Sequence, residues 1–314
     1  MLKICSRIAA ASTLVLTGLP LPSAVAQAPP ATDIHLAELV RDGLGGLEVV
    51  YRCRATDRDG YDNQPFFLRD DSGFLYTSIR KGQADIYRYD LASKKSVPVT
   101  RTTESEYSPK VIPGGKGFSV VRVESSEPLV QRLWRFDLDG GNARCVLEDV
   151  NPVGYHAWGS ADALGLFVLG EPPTLTMATL KDGARAVKAS EIGRCVATLV
   201  VREVLRPFHP AVSFVDRSKA DEPWIRILEL RSGDVRPVVK ALDGVDDHVW
   251  TPRGELISAR GSKLYGHFLS KGGGWTELGD LQAGRVSSIT RLAVSRGGSM
   301  LAFVAARAES EDGE

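Results

Sequence analysis

The chain has 314 residues, with 39 basic and 39 acidic side chains and a formal net charge of zero. Balanced charge leaves no basic footprint for nucleic acid. No stretch beyond residue 28 approaches the roughly 20 apolar residues of a membrane helix, so the mature chain is not membrane-embedded.

At the N-terminus, Lys3 and Arg7 precede an apolar run from Ile8 to Leu19 and the small residues Ala24, Val25 and Ala26. This order is that of a secretory signal peptide over 1–26, which makes the protein exported, periplasmic or secreted. Cys53, Cys145 and Cys195 remain in the mature chain, one in or beside each of three different repeats. Their scatter argues for free thiols rather than a disulfide framework.

From residue 27 a pattern recurs to 307. Leu39, Leu91, Leu138, Leu180, Leu230 and Leu269 each close an extended segment, and five positions earlier stand Ile34, Ile86, Leu133, Leu175, Ile225 and Leu264. The leucines are 39 to 52 residues apart, the period of a four-stranded repeated unit. Alternation puts Tyr87, Tyr89 and Leu91 on one face, as it does Trp134, Phe136 and Leu138, and a neighbouring sheet must cover so apolar a face. Turns such as Asp139-Gly140-Gly141 and Arg231-Ser232-Gly233 follow the leucines and lead into a further strand.

A second element, an inner hairpin, precedes each leucine segment. Its copies align Phe67, Val111, Trp158, Trp250 and Val294, and the doubled interval after Trp158 hides a degenerate copy near Val204. The N-terminus holds a leucine segment without an inner pair, and the C-terminus an inner pair, Leu292 to Ala305, without outer strands. The two halves predict an all-β, six-bladed β-propeller closed by a shared blade of N- and C-terminal strands, which removes the open sheet edges. An acidic tail, 308–314, follows it.

The inner hairpin, Val294-Ser295-Arg296-Gly297-Gly298 before Leu301-Ala302-Phe303, and the outer strand from Asp85 to Leu91 resemble those of the TolB-like, WD-repeat-like exported propellers. The usual Pro-Asp-Gly turn of that family is eroded here to Arg69-Asp70-Asp71, Pro113-Gly114-Gly115 and Pro252-Arg253-Gly254. TolB itself carries an α/β domain before its propeller, whereas these repeats begin soon after the leader. The resemblance therefore implies the fold and not the translocation role.

Residues leading into each inner strand ring one mouth of a propeller channel. Here they are Asp62, Asn63, Gln64, Glu106, Tyr107, Tyr155, His156, Arg194, Asp247, His248 and Arg291. Such a mouth suits a non-enzymatic, monomeric binding or scaffold module that needs no cofactor and takes an envelope protein, peptide or other ligand. The alternative is a lactonase-type hydrolase whose axial divalent cation, such as calcium, is held by Asn63, Glu106 and Asp247, with His156 or His248 as base. His35, His209 and His267 read as structural. Asp57, Asp59 and Asp62 around Gly60 lack the spacing of a calcium loop and read as an inter-blade turn. No G-x-S-x-G elbow, P-loop, dinucleotide fingerprint or H-E-x-x-H motif is present.

Overall fold

Short apolar strands joined by glycine-containing turns build meanders, and a computed structural model describes them over residues 29–199, 210–219, 221–284 and 286–306. The expected leader at 1–26, the expected degenerate repeat near Val204, His209 and the expected tail at 308–314 lie outside the described residues.

The chain opens with β1 (Thr32–Arg41) and β2 (Leu47–Arg54). Blade 1 is β3 (Asp62–Phe67), β4 (Gly73–Arg80), β5 (Gln83–Asp90) and β6 (Lys95–Pro98). Blade 2 is β7 (Ser105–Val111), β8 (Phe118–Glu124), β9 (Val130–Phe136) and β10 (Arg144–Cys145). Blade 3 comprises β11 (Val153–Trp158), β12 (Ala163–Val168), β13 (Thr174–Thr179) and β14 (Arg185–Ser190). Blade 4 comprises β15 (Ile192–Thr198), β16 (Ala211–Asp216), β17 (Trp224–Glu229) and β18 (Val235–Lys240). Blade 5 comprises β19 (His248–Trp250), β20 (Glu255–Arg260), β21 (Lys263–Phe268) and β22 (Thr276–Asp280). Finally β23 (Thr290–Val294) and β24 (Met300–Ala306) join β1 and β2 in the order β2-β1-β24-β23, which is blade 6. The first strands of successive blades touch in turn and β23 returns to β3, so the ring is closed.

The six aliphatic anchors are Ile34, Ile86, Leu133, Leu175, Ile225 and Leu264, and each is at most 2% exposed. They sit on the third strand of each blade, counted outward from the axis, where both faces are covered. That explains why Ile86 is buried as fully as Tyr87 and Tyr89 on the opposite face. The leucine five positions on is less constant: Leu39 and Leu230 are buried, but Leu138 is exposed, because the apolar face of β9 ends at Phe136. In blade 4 the inner strand lies at Ile192–Thr198, ahead of the position near Val204 that the doubled interval suggests.

Two hairpins require glycine by close approach. A Cβ on Gly73 would stand 2.0 Å from the Tyr89 carbonyl oxygen, and one on Gly117 would stand 2.3 Å from that of Phe136. Cys53, Cys145 and Cys195 are free and half-buried in blades 6, 2 and 4. Among the described residues no helix is long and apolar enough to cross a membrane.

Candidate functional site

The innermost strands surround an axial cavity of about 370 Å³, within the size range of small-molecule sites. β-Bulges set which side chains reach it. The pairing register slips between Asn63 and Phe66 on β3, between Tyr107 and Lys110 on β7, and between Thr290 and Ala293 on β23. Inside these bulges Gln64, Ser108 and Arg291 take the left-handed conformation, with φ of 59°, 54° and 53°. That conformation costs a non-glycine residue about 1–3 kcal/mol and concentrates where a site needs side chains re-aimed. The bulges are tied together, for the Ser108 amide donates to Gln64 Oε1 at 2.9 Å and Thr77 Oγ1 donates to the same oxygen.

At one end of the cavity charges meet across the ring. Arg194 Nη2 lies 2.7 Å from Asp247 Oδ2, and Arg291 Nη1 lies 3.7 Å from Asp247 Oδ1. Arg291 also donates to the Tyr155 hydroxyl at 2.8 Å. Blades 6 and 3 are opposite one another, so this bond crosses the axis. Burial alone would lower the Arg291 pKa, but Asp247 and the Tyr155 hydroxyl raise it, and the guanidinium stays charged. Beside it burial pushes the Tyr61 hydroxyl up to about 12. Lys110 lines the cavity with its Nζ 4.9 Å from the Phe66 ring centre. Among the described residues the wall holds Arg69, Lys110, Arg194, Arg291 and Arg296 against one carboxylate, Asp247.

Of the residues expected at the mouth, Gln64, Tyr155, His156, Arg194, Asp247, His248 and Arg291 line the cavity. Four do not. Asp62 is buried against Arg58 and the Ser78 hydroxyl, and Asn63 donates to Thr32 Oγ1 at the seam between blades 1 and 6. Glu106 is fully buried and paired with Arg122, with Thr102 Oγ1 as a further donor. Tyr107 stands outside the lining, close enough to Tyr61 to influence its hydroxyl.

The proposed cation ligands therefore do not converge: Asp247 faces the cavity while Asn63 and Glu106 are engaged elsewhere. Among the described residues no three His, Cys, Asp or Glu side chains gather as a metal site. Sequence reasoning missed Lys110, Ser108 and Tyr61. The available signal was a lysine at an inward position of the otherwise apolar segment Val111-Ile112 with Pro109 before it.

His156 and His248 share one arrangement, set by the spacing His-x-Trp. His156 Nε2 is 2.7 Å from Ser119 Oγ, which also accepts from Trp158 Nε1 at 2.8 Å. His248 Nε2 is 2.8 Å from Ser213 Oγ, which accepts from Trp250 Nε1 at 2.8 Å. Each serine belongs to the second strand of the preceding blade, so the motif clamps neighbouring blades. Local charge then separates the two rings. Burial, helped by Lys110, lowers the His156 pKa to about 3. At His248 burial acts the same way, but Cys195, the Asp246 carbonyl and Asp247 outweigh it and the pKa rises.

His35, stacked on Phe303, is lowered by burial and Arg54 to about 4. A histidine lowered in the fold contributes stability that is complete above its unfolded value near 6.5 and is lost as pH falls toward its folded value. Melting temperature should thus fall between pH 6.5 and pH 4, and His156→Gln should flatten that fall in a calorimetric pH series. An unchanged slope in the variant would contradict the burial argument.

No family model matches the sequence, and a search of curated proteins finds no match. Solved structures do resemble it. TolB from Acinetobacter baumannii superposes with a TM-score of 0.55 at 13% identity, over 90% of this chain and 65% of that one. This chain thus spans just under two thirds of that structure. A putative TolB from Agrobacterium tumefaciens gives 0.64 at 11% identity, over 89% and 99%. A gluconolactonase from Xanthomonas campestris gives 0.56 at 12%, over 90% and 99%. At these identities the likeness is one of fold: the chain has the TolB-like six-bladed propeller.

Proposed function

We propose that this protein is an exported, non-catalytic binding module whose ligand occupies the axial cavity. The observation that supports this most directly is the cavity itself, where bulged inner strands from blades 1, 2 and 6 hold strained polar residues over an apolar wall. A rigid ring positions groups from all six blades without a moving part, which suits recognition. Export follows from the leader at 1–26, with the periplasm or the exterior as destination. The hydrolase alternative loses support, since Asn63 and Glu106 are committed to other partners.

Thermal-shift screening of the mature chain tests the reading, with Val249→Phe as the variant that narrows the cavity. Compounds that raise the melting temperature of the native protein should lose that effect in a folded Val249→Phe variant. Stabilisation that survives the substitution would put the ligand elsewhere.

A further inference from the structure

The cavity wall is rich in hydrogen-bond donors and short of acceptors. Arg194 and Arg291 share one carboxylate, Asp247, and among the described residues Lys110 has no ion-pair partner. Among the described residues, two further buried groups of the wall, Ser108 Oγ and His156 Nδ1, have no hydrogen-bond partner. His248 Nδ1 lies 2.9 Å from the Asp246 carbonyl oxygen and must carry the proton, leaving Nε2 to accept from Ser213. At His156 the serine differs, because Ser119 Oγ also reaches the Lys110 carbonyl oxygen at 3.3 Å, so either ring nitrogen of His156 can carry the proton.

An enclosed cation without a counter-ion is costly, and a cavity that concentrates cations and donors is complementary to an anion. Half-buried Phe66, Val249 and Leu292 give the wall an apolar stretch. We propose that the cavity binds a small organic carboxylate, its head received by Lys110, Arg194 and Arg291 and its apolar body lying along Phe66, Val249 and Leu292. The inference rests on the reading of the cavity as the ligand site and names the chemistry of the occupant. Guanidinium forks already matched to the Asp247 carboxylate favour a second carboxylate beside it. The state of Lys110 agrees. Burial lowers its pKa, Arg291 adds to the effect, and Cys195 and Asp247 only partly oppose it. A bound carboxylate supplies the missing counter-charge.

Isothermal titration calorimetry of the mature chain tests this with 4-phenylbutyrate and octanoate, their neutral amides, and inorganic phosphate. The carboxylates should bind, the amides should bind at least ~10-fold more weakly, and Lys110→Met and Lys110→Gln should each lose roughly 10- to 100-fold in carboxylate affinity. Melting curves identify the variants that fold, and neither should melt below the native protein, because each removes an uncompensated charge. Amides binding as tightly as the acids would overturn the carboxylate assignment while leaving the cavity as the ligand site. Phosphate binding as tightly as the organic acids would overturn it by removing the role of the apolar wall. Carboxylate affinity unchanged in Lys110→Met would overturn it as well. If no acid binds but screening hits sensitive to Val249→Phe exist, the carboxylate inference fails alone; if neither exists, both readings fail.

Discussion

A chain ending after Val286 should not fold cooperatively. That deletion removes β23 and β24, and with them the register that holds β1 from Thr32 opposite Ala306 to Glu38 opposite Met300. It exposes Ile34, Leu36 and Ala37 on β1 and deletes Leu301, Phe303 and Val304, all at most 3% exposed. A fully buried aliphatic or aromatic side chain contributes about 1.5–3 kcal/mol. The loss of these contacts therefore matches or exceeds the ~5–15 kcal/mol that holds a typical domain together. Two core clusters span the joint, one reaching Leu264 and Leu278 of blade 5 and the other Phe74 and Tyr89 of blade 1. Damage therefore spreads in both directions round the ring. Calorimetry of the truncated chain should show a broad or absent transition; a melting profile like that of the full chain would refute closure through blade 6.

Arg122→Met should be the most damaging single substitution outside the aromatic core. Arg122 Nε and Nη2 each lie 3.1 Å from Glu106 Oε1, with the arginine side chain 8% exposed and the carboxylate fully buried. Its guanidinium also stacks 4.1 Å from the Trp134 ring centre, a contact that methionine keeps in part. What methionine cannot replace is the charge. Glu106 would remain buried with only neutral threonine hydroxyls, Thr102 and Thr100, as side-chain donors among the described residues, and breaking one side of such a pair costs about 3–5 kcal/mol. The pH dependence checks the cause. Burial already raises the Glu106 pKa above its usual value. An acid raised in the fold favours folding below its unfolded value, and that contribution is lost as pH rises through the folded value. The deficit of Arg122→Met, measured by denaturant titration against the native protein at the same pH, should shrink from pH 7 to pH 4. Adding Glu106→Gln should recover most of the loss. A deficit independent of pH would mean that packing, not charge, is responsible.

The architecture was legible because it is written in local periods. Two aliphatic positions five apart mark each third strand, and their six recurrences need no knowledge of which residues meet. The complementary halves at the termini likewise identified the shared blade. Leu138 and the inner strand of blade 4 are where this pattern misled. Leu138 obeys the spacing but lies on the surface, and the inner strand of blade 4, at Ile192–Thr198, comes ahead of the position that the doubled interval gives.

The site was legible only as a zone. The sequence by itself determined the ring, its closure and the loops that gather at one end of the axis, since strand alternation and turn chemistry act over a few residues. Tertiary structure alone decided which of those residues face the cavity. Glu106 and Lys110 stand four apart, which strict alternation would place on one face. The bulge between them pairs Glu106 with Arg122 and Lys110 with Ser119, on opposite faces of the sheet. The carboxylate thus leaves the axis for an arginine 16 residues away, and the lysine takes its place in the cavity. His156 and His248 are bound by serines 37 and 35 residues earlier, on another blade. Side-chain direction in a bulged strand depends on its partner, and the partner is known only once the chain has folded.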